Sequence, residues 1–500
     1  MSPFFLFSFV LGYFLLLLGV AFYTARNATN DSFFIGNRNS NWMLVAFGMI
    51  GTSMSGVTFV SVPGTVGDFA ANGYKAFGYF QVILGYIFGY IVIGLILVPM
   101  YYKLNLTSIY HYLDQRFGTA SYKTGSLFFI ISRTFGATAR LFLVINVLQL
   151  FILDEMGVPF IATAALILLM ILLYTFKGGV KTIVYTDTLQ TSFMLAGLVI
   201  CLVYILTHMN ISVGHAISVI SEKGYARIFD TDIKSKSFFL KNLVGGAFIA
   251  IAMTGLDQEM MQKNISVRTL RGSQKNIFSF TIIMIIVNLL FLFLGGLLYL
   301  FMLDKGAVYE GKHLLLEGKN VIGDDIFPTI AMFHLPSYIG IIFIIALISA
   351  LFPSADGALT ALTSSFCIDI LGIKRNPNYT EEKQKNIRIL VHLSFALVFL
   401  LCIMIFKWIN NKSIINIILD LAGYTYGPLL GLFAFGMLTK RTLGKGYTVT
   451  AICLLAPALC YVLGKNATAW FNGYQIGFEM LLINGMLTFL GMFLISKKAD

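Results

Sequence analysis

Thirteen apolar runs, each near 20 residues or longer, divide the 500-residue chain at about 4–23, 42–64, 76–101, 123–152, 158–176, 181–207, 238–261, 276–302, 337–371, 387–409, 413–438, 446–464 and 475–496. Twenty helical residues rise about 30 Å, the thickness of the hydrocarbon core of a bilayer. Backbone facing lipid has no water to bond, so each run must close its own hydrogen bonds as a helix. The fold class this predicts is an all-α polytopic membrane protein of about 13 transmembrane helices. Composition agrees: 58% of residues are hydrophobic, 12% are charged, and the mean hydropathy is +0.83, too apolar for a water-soluble globule. No soluble domain is expected. The first run, from Phe4 to Phe22, lacks a basic lead and a small-residue cleavage site, so it reads as a spanning helix rather than a signal peptide. Cys201, Cys367, Cys402, Cys453 and Cys460 fall in apolar runs without metal-type spacing and read as small core residues.

An odd number of spans puts the termini on opposite sides. With the N-terminus outside, the inner loops receive Arg26, Arg38, Lys103, Arg116, Lys177, Lys181, Lys263, Arg268, Arg271, Lys374, Arg375, Lys440 and Arg441 among others. The outer loops hold roughly half as many basic residues, which places the C-terminus in the cytoplasm of a cell (plasma) membrane protein. The net charge of +12 is explained by this bias and needs no nucleic-acid partner.

Two runs depart from plain apolar helix near their middles: the second, "FGMIGTSMSGVTFVSVPGTVG", and the seventh, "NLVGGAFIAIAMTGLDQEMMQ". They occupy corresponding places in two successive groups of five, 42–207 and 238–438. Interrupted helices at matching positions of two halves predict an inverted-repeat transporter with its sites near the bilayer midplane. Small residues that only let helices pack closely would leave the same pattern. The ninth run places Pro353, Ser354, Asp356 and Gly357 within five residues, and the sixth carries Asp187 well inside its length. Charges at that depth must be paired or ligating. For Asp187 the residues leave open a hydrogen bond to Thr186 or a loop amide, an ion pair with Arg133, or a cation site. Arg133 and Arg140, seven apart, share one face of the fourth run, and arginine suits bidentate binding of a carboxylate.

Other function classes find less support. An enzyme would need a reactive constellation, and neither HExxH, a P-loop nor a Cys/His pair is present; His392 stands alone in an apolar run. A channel would be expected to show a pore-loop filter, and a sensor would need a soluble output domain, whereas only four residues follow the last run.

Four motifs together resemble the sodium/solute symporter family, whose relatives carry proline, sugars, sialic acid, iodide or vitamins. They are "DSFFIGNRNSNW", "TSIYHYLDQRFG", "GGVKTIVYTDTLQT" and "PSADGALTALTSSFCIDI", with a weaker fifth in "AGYTYGPLLGLFAFGML". The resemblance implies a LeuT-type fold of two inverted five-helix repeats in one transmembrane transporter domain. Residues 1–41 would form an extra helix and linker, 42–207 and 238–438 the repeats, and 439–500 two further helices. It also implies sodium as coupling ion, a small-molecule solute as cargo, and function as a monomer in the lipid bilayer. The alternative is a proton-coupled or sodium-independent transporter of the same fold.

By the motif match, the sodium ligands would be the carbonyls of Gly51, Met54 and Ala350 and the side chains at Pro353 and Ser354. Ser354 fits. Pro353 departs from the Ser or Thr of most relatives: it supplies no hydroxyl, but it removes an N–H and crowds the carbonyl of Ser349, so it either frees a carbonyl for the ion or only kinks the helix. Asp187 matches an aspartate that some relatives use in a second sodium site, and Asp356 on the facing segment would join it in a second cation or proton site. Candidate solute contacts are Ser55, Thr58 and Phe59 on the broken helix, with Gln81, Arg140 and Asp420. Asp420 aligns with a polar position used by sugar carriers or caps its helix. Ala250, Met253 and Thr254 replace an Asn, a Tyr and a Trp of some sugar carriers, which argues against a close copy of a galactose site.

Overall fold

The computed structural model describes residues 2–26, 29–67, 76–310, 313–409, 421–444 and 447–498, and of Lys177 the backbone alone. Among the described residues, eight helices are long and apolar enough to cross a membrane: α1 (Pro3–Thr24), α4 (Ala76–Lys103), α5 (Thr119–Leu153), α7 (Gly178–His208), α10 (Leu270–Asp304), α11 (Ser337–Ile370), α12 (Glu381–Ile409) and α14 (Thr448–Trp470). Two bent pairs, α2 (Trp42–Ser53) with α3 (Gly56–Thr65) and α8 (Phe239–Gly255) with α9 (Gln258–Ile265), raise the count to ten if each pair is one span. Three shorter apolar helices, α6 (Phe160–Phe176), α13 (Gly427–Leu438) and α15 (Glu479–Ile495), stand at the remaining runs. The thirteen spans read from the sequence are reached only if these also cross.

The two breaks are the features that position the site. At the first, Met54 (φ −95°, ψ 62°) and Ser55 (ψ 178°) leave the helical region, and the chain turns by 56°. At the second, Asp257 stops the chain and starts it again 64° away: its carboxylate accepts from the Glu259 and Met260 N–H groups at 2.9 and 3.2 Å, which caps α9. A helix end leaves carbonyls or N–H groups without intrahelical partners, so each break brings backbone dipoles into the interior of the bundle.

Between α6 and α7 the chain bends at Gly179, whose φ of 53° and ψ of −144° suit glycine. Phe33 packs onto that glycine: a Cβ there would lie 2.7 Å from Phe33 Cδ2. The motif "GGVKT" thus marks a corner where the linker after α1 crosses the entry to α7. The motifs "TSIYHYLDQRFG" and "PSADGALTALTSSFCIDI" meet at Asp369, which accepts from Tyr122 (2.7 Å), Ser108 (2.9 Å) and Ser365 (2.6 Å). Arg116 of the same first motif donates to the carbonyls of Gly436 and Thr439 at the end of α13. Helix α1 lies against α7 and α11 through Tyr13, 5.4 Å from Phe193 and 6.4 Å from Phe352 by ring centroids. A small antiparallel sheet between α10 and α11, β1 (Val308–Glu310), β2 (His313–Leu316) and β3 (Lys319–Asn320), sits over the far end of α3, where Tyr309 donates to the Gly67 carbonyl.

Candidate functional site

Of the five expected sodium ligands, all are buried, and they come from two facing elements. Gly51 and Met54 stand at the end of α2, and Ala350, Pro353 and Ser354 at mid-length in α11. A Cβ on Gly51 would lie 3.3 Å from Pro353 Cγ, so the broken helix abuts the proline segment directly. The Gly51 N–H is held by Thr191 Oγ1 at 3.1 Å, and its carbonyl is among the last of α2. Ser354 donates its proton to the Leu351 carbonyl at 2.9 Å, which leaves the lone pairs of its oxygen for a cation. Helix α11 runs through Pro353 without a break, and the proline leaves the Ser349 carbonyl without its helical N–H.

Asp187 is fully buried, and its partner is Lys263 rather than Arg133 or Thr186. Lys263 Nζ lies 2.7 Å from Asp187 Oδ2, 2.6 Å from Thr52 Oγ1 and 3.7 Å from Glu259 Oε1. Thr186 instead donates to carbonyls of its own helix. The loop assignment of Lys263 is therefore corrected: hydropathy ended the seventh span before "QK", but all eight residues of α9 are buried and their charges are met pairwise. Arg133 is paired with Glu259 and, at 3.9 Å, with Asp257, whose Oδ2 also accepts from Tyr426 at 2.7 Å. Asp356 accepts from Tyr174 at 2.7 Å, and its other oxygen has no hydrogen-bond partner, as is true of Asp187 Oδ1 and Thr360 Oγ1. Tyr426 belongs to the weak fifth motif, and Glu259 and Lys263 follow the recognised break at i and i+4. That spacing puts both on one helical face, the signal in the sequence that would have found them.

Beside this chain of charges lies a cavity lined by Thr52, Ser55, Thr58, Tyr86, Arg133, Arg140 and Asn288, among others, with Ala250, Met253 and Thr254 in its wall. Ser55, Thr58 and Arg140 were expected here. Phe59 and Gln81 are not among the residues that line the cavity. Phe59 turns the other way into a cluster with Phe291, Phe327 and Phe343, while Gln81 is buried and donates to the Gly78 carbonyl at 3.1 Å. Asp420 lies outside the described residues. Arg133 and Arg140 share the cavity, as their spacing predicts, but differ: Arg133 is spent on carboxylates of α9, whereas Arg140 meets no carboxylate and makes no hydrogen bond among the described residues. The isolated His392 is a satisfied core residue between Thr175 (3.1 Å) and Thr363 (2.9 Å).

A sequence model of the sodium:solute symporter family matches residues 33–453. The chain belongs to that family. A sodium/sialic acid symporter of Proteus mirabilis is 24% identical over 95% of this chain and 92% of its own length, and one of Aliivibrio fischeri is 23% identical over 95% and 90%. A putative sodium-dependent multivitamin transporter of Drosophila melanogaster is 23% identical over 89% of this chain and 71% of its own length. Among solved structures, a substrate-bound, outward-open sodium-coupled sialic acid symporter superposes with a TM-score of 0.81 at 19% identity, over 99% of each chain. A nucleobase-cation symporter bound to bromovinylhydantoin gives 0.55 at 14% identity over 93% of each. The fold is the LeuT type, and the chain is an integral membrane transporter, not an enzyme. It is a secondary symporter coupled to sodium, as its family is.

Proposed function

We propose that this transporter imports a small polar organic solute bearing a carboxylate, together with sodium, by alternating access between α2–α3 and α11. The observation that carries the solute class is Arg140, a guanidinium in the wall of a cavity within the membrane-spanning bundle that meets no carboxylate among the described residues. Such a charge is costly there unless the cargo completes it, and a planar fork of donors matches a carboxylate. Ser55 and Thr58 offer hydroxyls to the remainder of the solute. The sialic acid carried by two of the relatives is an acid of this kind. Sodium is assigned to the carbonyls of Gly51, Met54 and Ala350 and the Ser354 hydroxyl, because a dehydrated hard cation takes several oxygen ligands and a helix break facing a serine supplies them. Pro353 contributes through the carbonyl it frees, not through a side-chain ligand.

The two repeats are assigned to 42–207 and 238–438, with 1–41 and 439–500 as additions. The N-terminus is placed outside and the C-terminus inside the plasma membrane, and the chain acts as a monomer. Removing Lys263 from the loop tally lowers the inner count by one and leaves the bias intact.

The test is uptake into proteoliposomes of labelled sialic acid and a panel of carboxylates, neutral sugars, zwitterionic amino acids and nucleosides, with sodium and with choline. The expected result is sodium-dependent uptake confined to carboxylate-bearing solutes. Uptake of a neutral sugar in preference to every acid would overturn the solute class.

A further inference from the structure

The second cation position suggested by Asp187 and Asp356 already has a cation in it. We infer that the Lys263 ammonium is the resident cation of that position and that the transporter therefore binds one sodium per cycle, not two. The inference rests on the sodium coupling proposed above.

The geometry of the ammonium carries the argument. It stands 2.7 Å from a carboxylate oxygen of Asp187 on α7 and 2.6 Å from the Thr52 hydroxyl on α2, with Glu259 of its own helix at 3.7 Å. A carboxylate, a hydroxyl and a second carboxylate from three helices are the oxygen ligands a hard cation would collect. An ammonium on a flexible stem offers three donors to the same oxygens. Thr52 follows Gly51 directly, so the lysine reaches the broken helix through Thr52 while Gly51 beside it abuts Pro353 of α11.

The facing helix makes room for it. Gly357 of α11 has no side chain where a Cβ would stand 2.9 Å from Lys263 Nζ and collide with the Glu259 carboxylate. The residue that lets the lysine in is thus part of the segment that would otherwise offer ligands. Lys263 is also held from behind, because Glu259 is shared with Arg133. Arg133 lines the solute cavity, so the tethered cation is joined to the solute's surroundings through one carboxylate. A free sodium beside Asp187 would meet a fixed positive charge at close range in a medium of low dielectric, and like charges there exclude each other. Asp187 Oδ1 and Asp356 Oδ1 are buried oxygens without hydrogen-bond partners, ready to take a cation if the ammonium is removed.

Equilibrium binding of radioactive sodium to the purified full-length transporter tests this without a known solute. The parent is expected to bind one sodium per chain with a Hill slope near one. Lys263→Met, which keeps the length and loses the charge, is expected to bind two. Lys263→Arg is expected to remain at one. Two sodium ions in the parent, or one in folded Lys263→Met, would overturn the lysine assignment alone. No sodium in the parent would overturn the count and the sodium coupling together. If Lys263→Met does not fold, the parent count still decides. As an independent readout, a tenfold sodium gradient at zero membrane potential supports about tenfold accumulation with one ion and about hundredfold with two. The parent is expected at the lower value, and the higher one would overturn the assignment.

Discussion

Ser354 and Arg140 carry most of the functional argument at the scale of single residues. Ser354→Ala removes a ligand from a cation but leaves a small buried side chain, so it should insert normally. Loss of a hydrogen-bond-strength contact to a charged group costs about 1.5–3 kcal/mol, which corresponds to a rise of about tenfold or more in the sodium concentration for half-maximal uptake. An unchanged sodium requirement in correctly inserted protein would remove Ser354 from the site. Arg140→Ala should raise the KM for an acidic solute by about thirtyfold or more, and Arg140→Lys should restore part of it, since lysine keeps the charge but not the fork. Equal loss for acidic and neutral solutes would mean that Arg140 only shapes the cavity. The sequence placed Ser354, Asp187, Arg133 and Arg140 inside the bundle, because each interrupts a run that lipid would otherwise require to be apolar. It could not show which charge meets which. Arg133 turns to Glu259 while Asp187 meets Lys263, and only packing in three dimensions distinguishes those partners.

At the scale of elements, the apolar runs and the two broken helices were legible because span length and small polar interruptions are local properties. The boundary of the seventh span was not. Residues 262–265 read as the start of a cytoplasmic loop, since the apolar run gives out at "QK", yet all of α9 is buried. Its charges are tolerated because Asp187, Arg133 and Thr52 arrive from other helices. The sheet of β1, β2 and β3 was likewise unforeseen, because short strands between long helices leave almost no periodicity. The corner at Gly179 gives a structural test. Gly179→Ala should destabilise the protein by about 2 kcal/mol or more, from an unfavourable backbone conformation and from contact with Phe33. The measurement is the melting temperature in detergent, and an unchanged value would show that the bend is held without the glycine.

For the molecule as a whole, the parts converge on one machine. The end of α2 abuts α11 at Pro353, where the sodium ligands are proposed, and α9 delivers Lys263 to Thr52 of the same helix end. The solute cavity lies alongside, with Arg133 common to its wall and to the charge chain. The proposed ion and solute sites thus share helices, which would let a gradient of one drive the other. The measurement that tests this most directly is accumulation of the preferred acid in proteoliposomes under an inward sodium gradient, with choline replacing sodium at constant pH. The account predicts accumulation above the external concentration with sodium and equilibration or less with choline. Accumulation that persists in choline would contradict it.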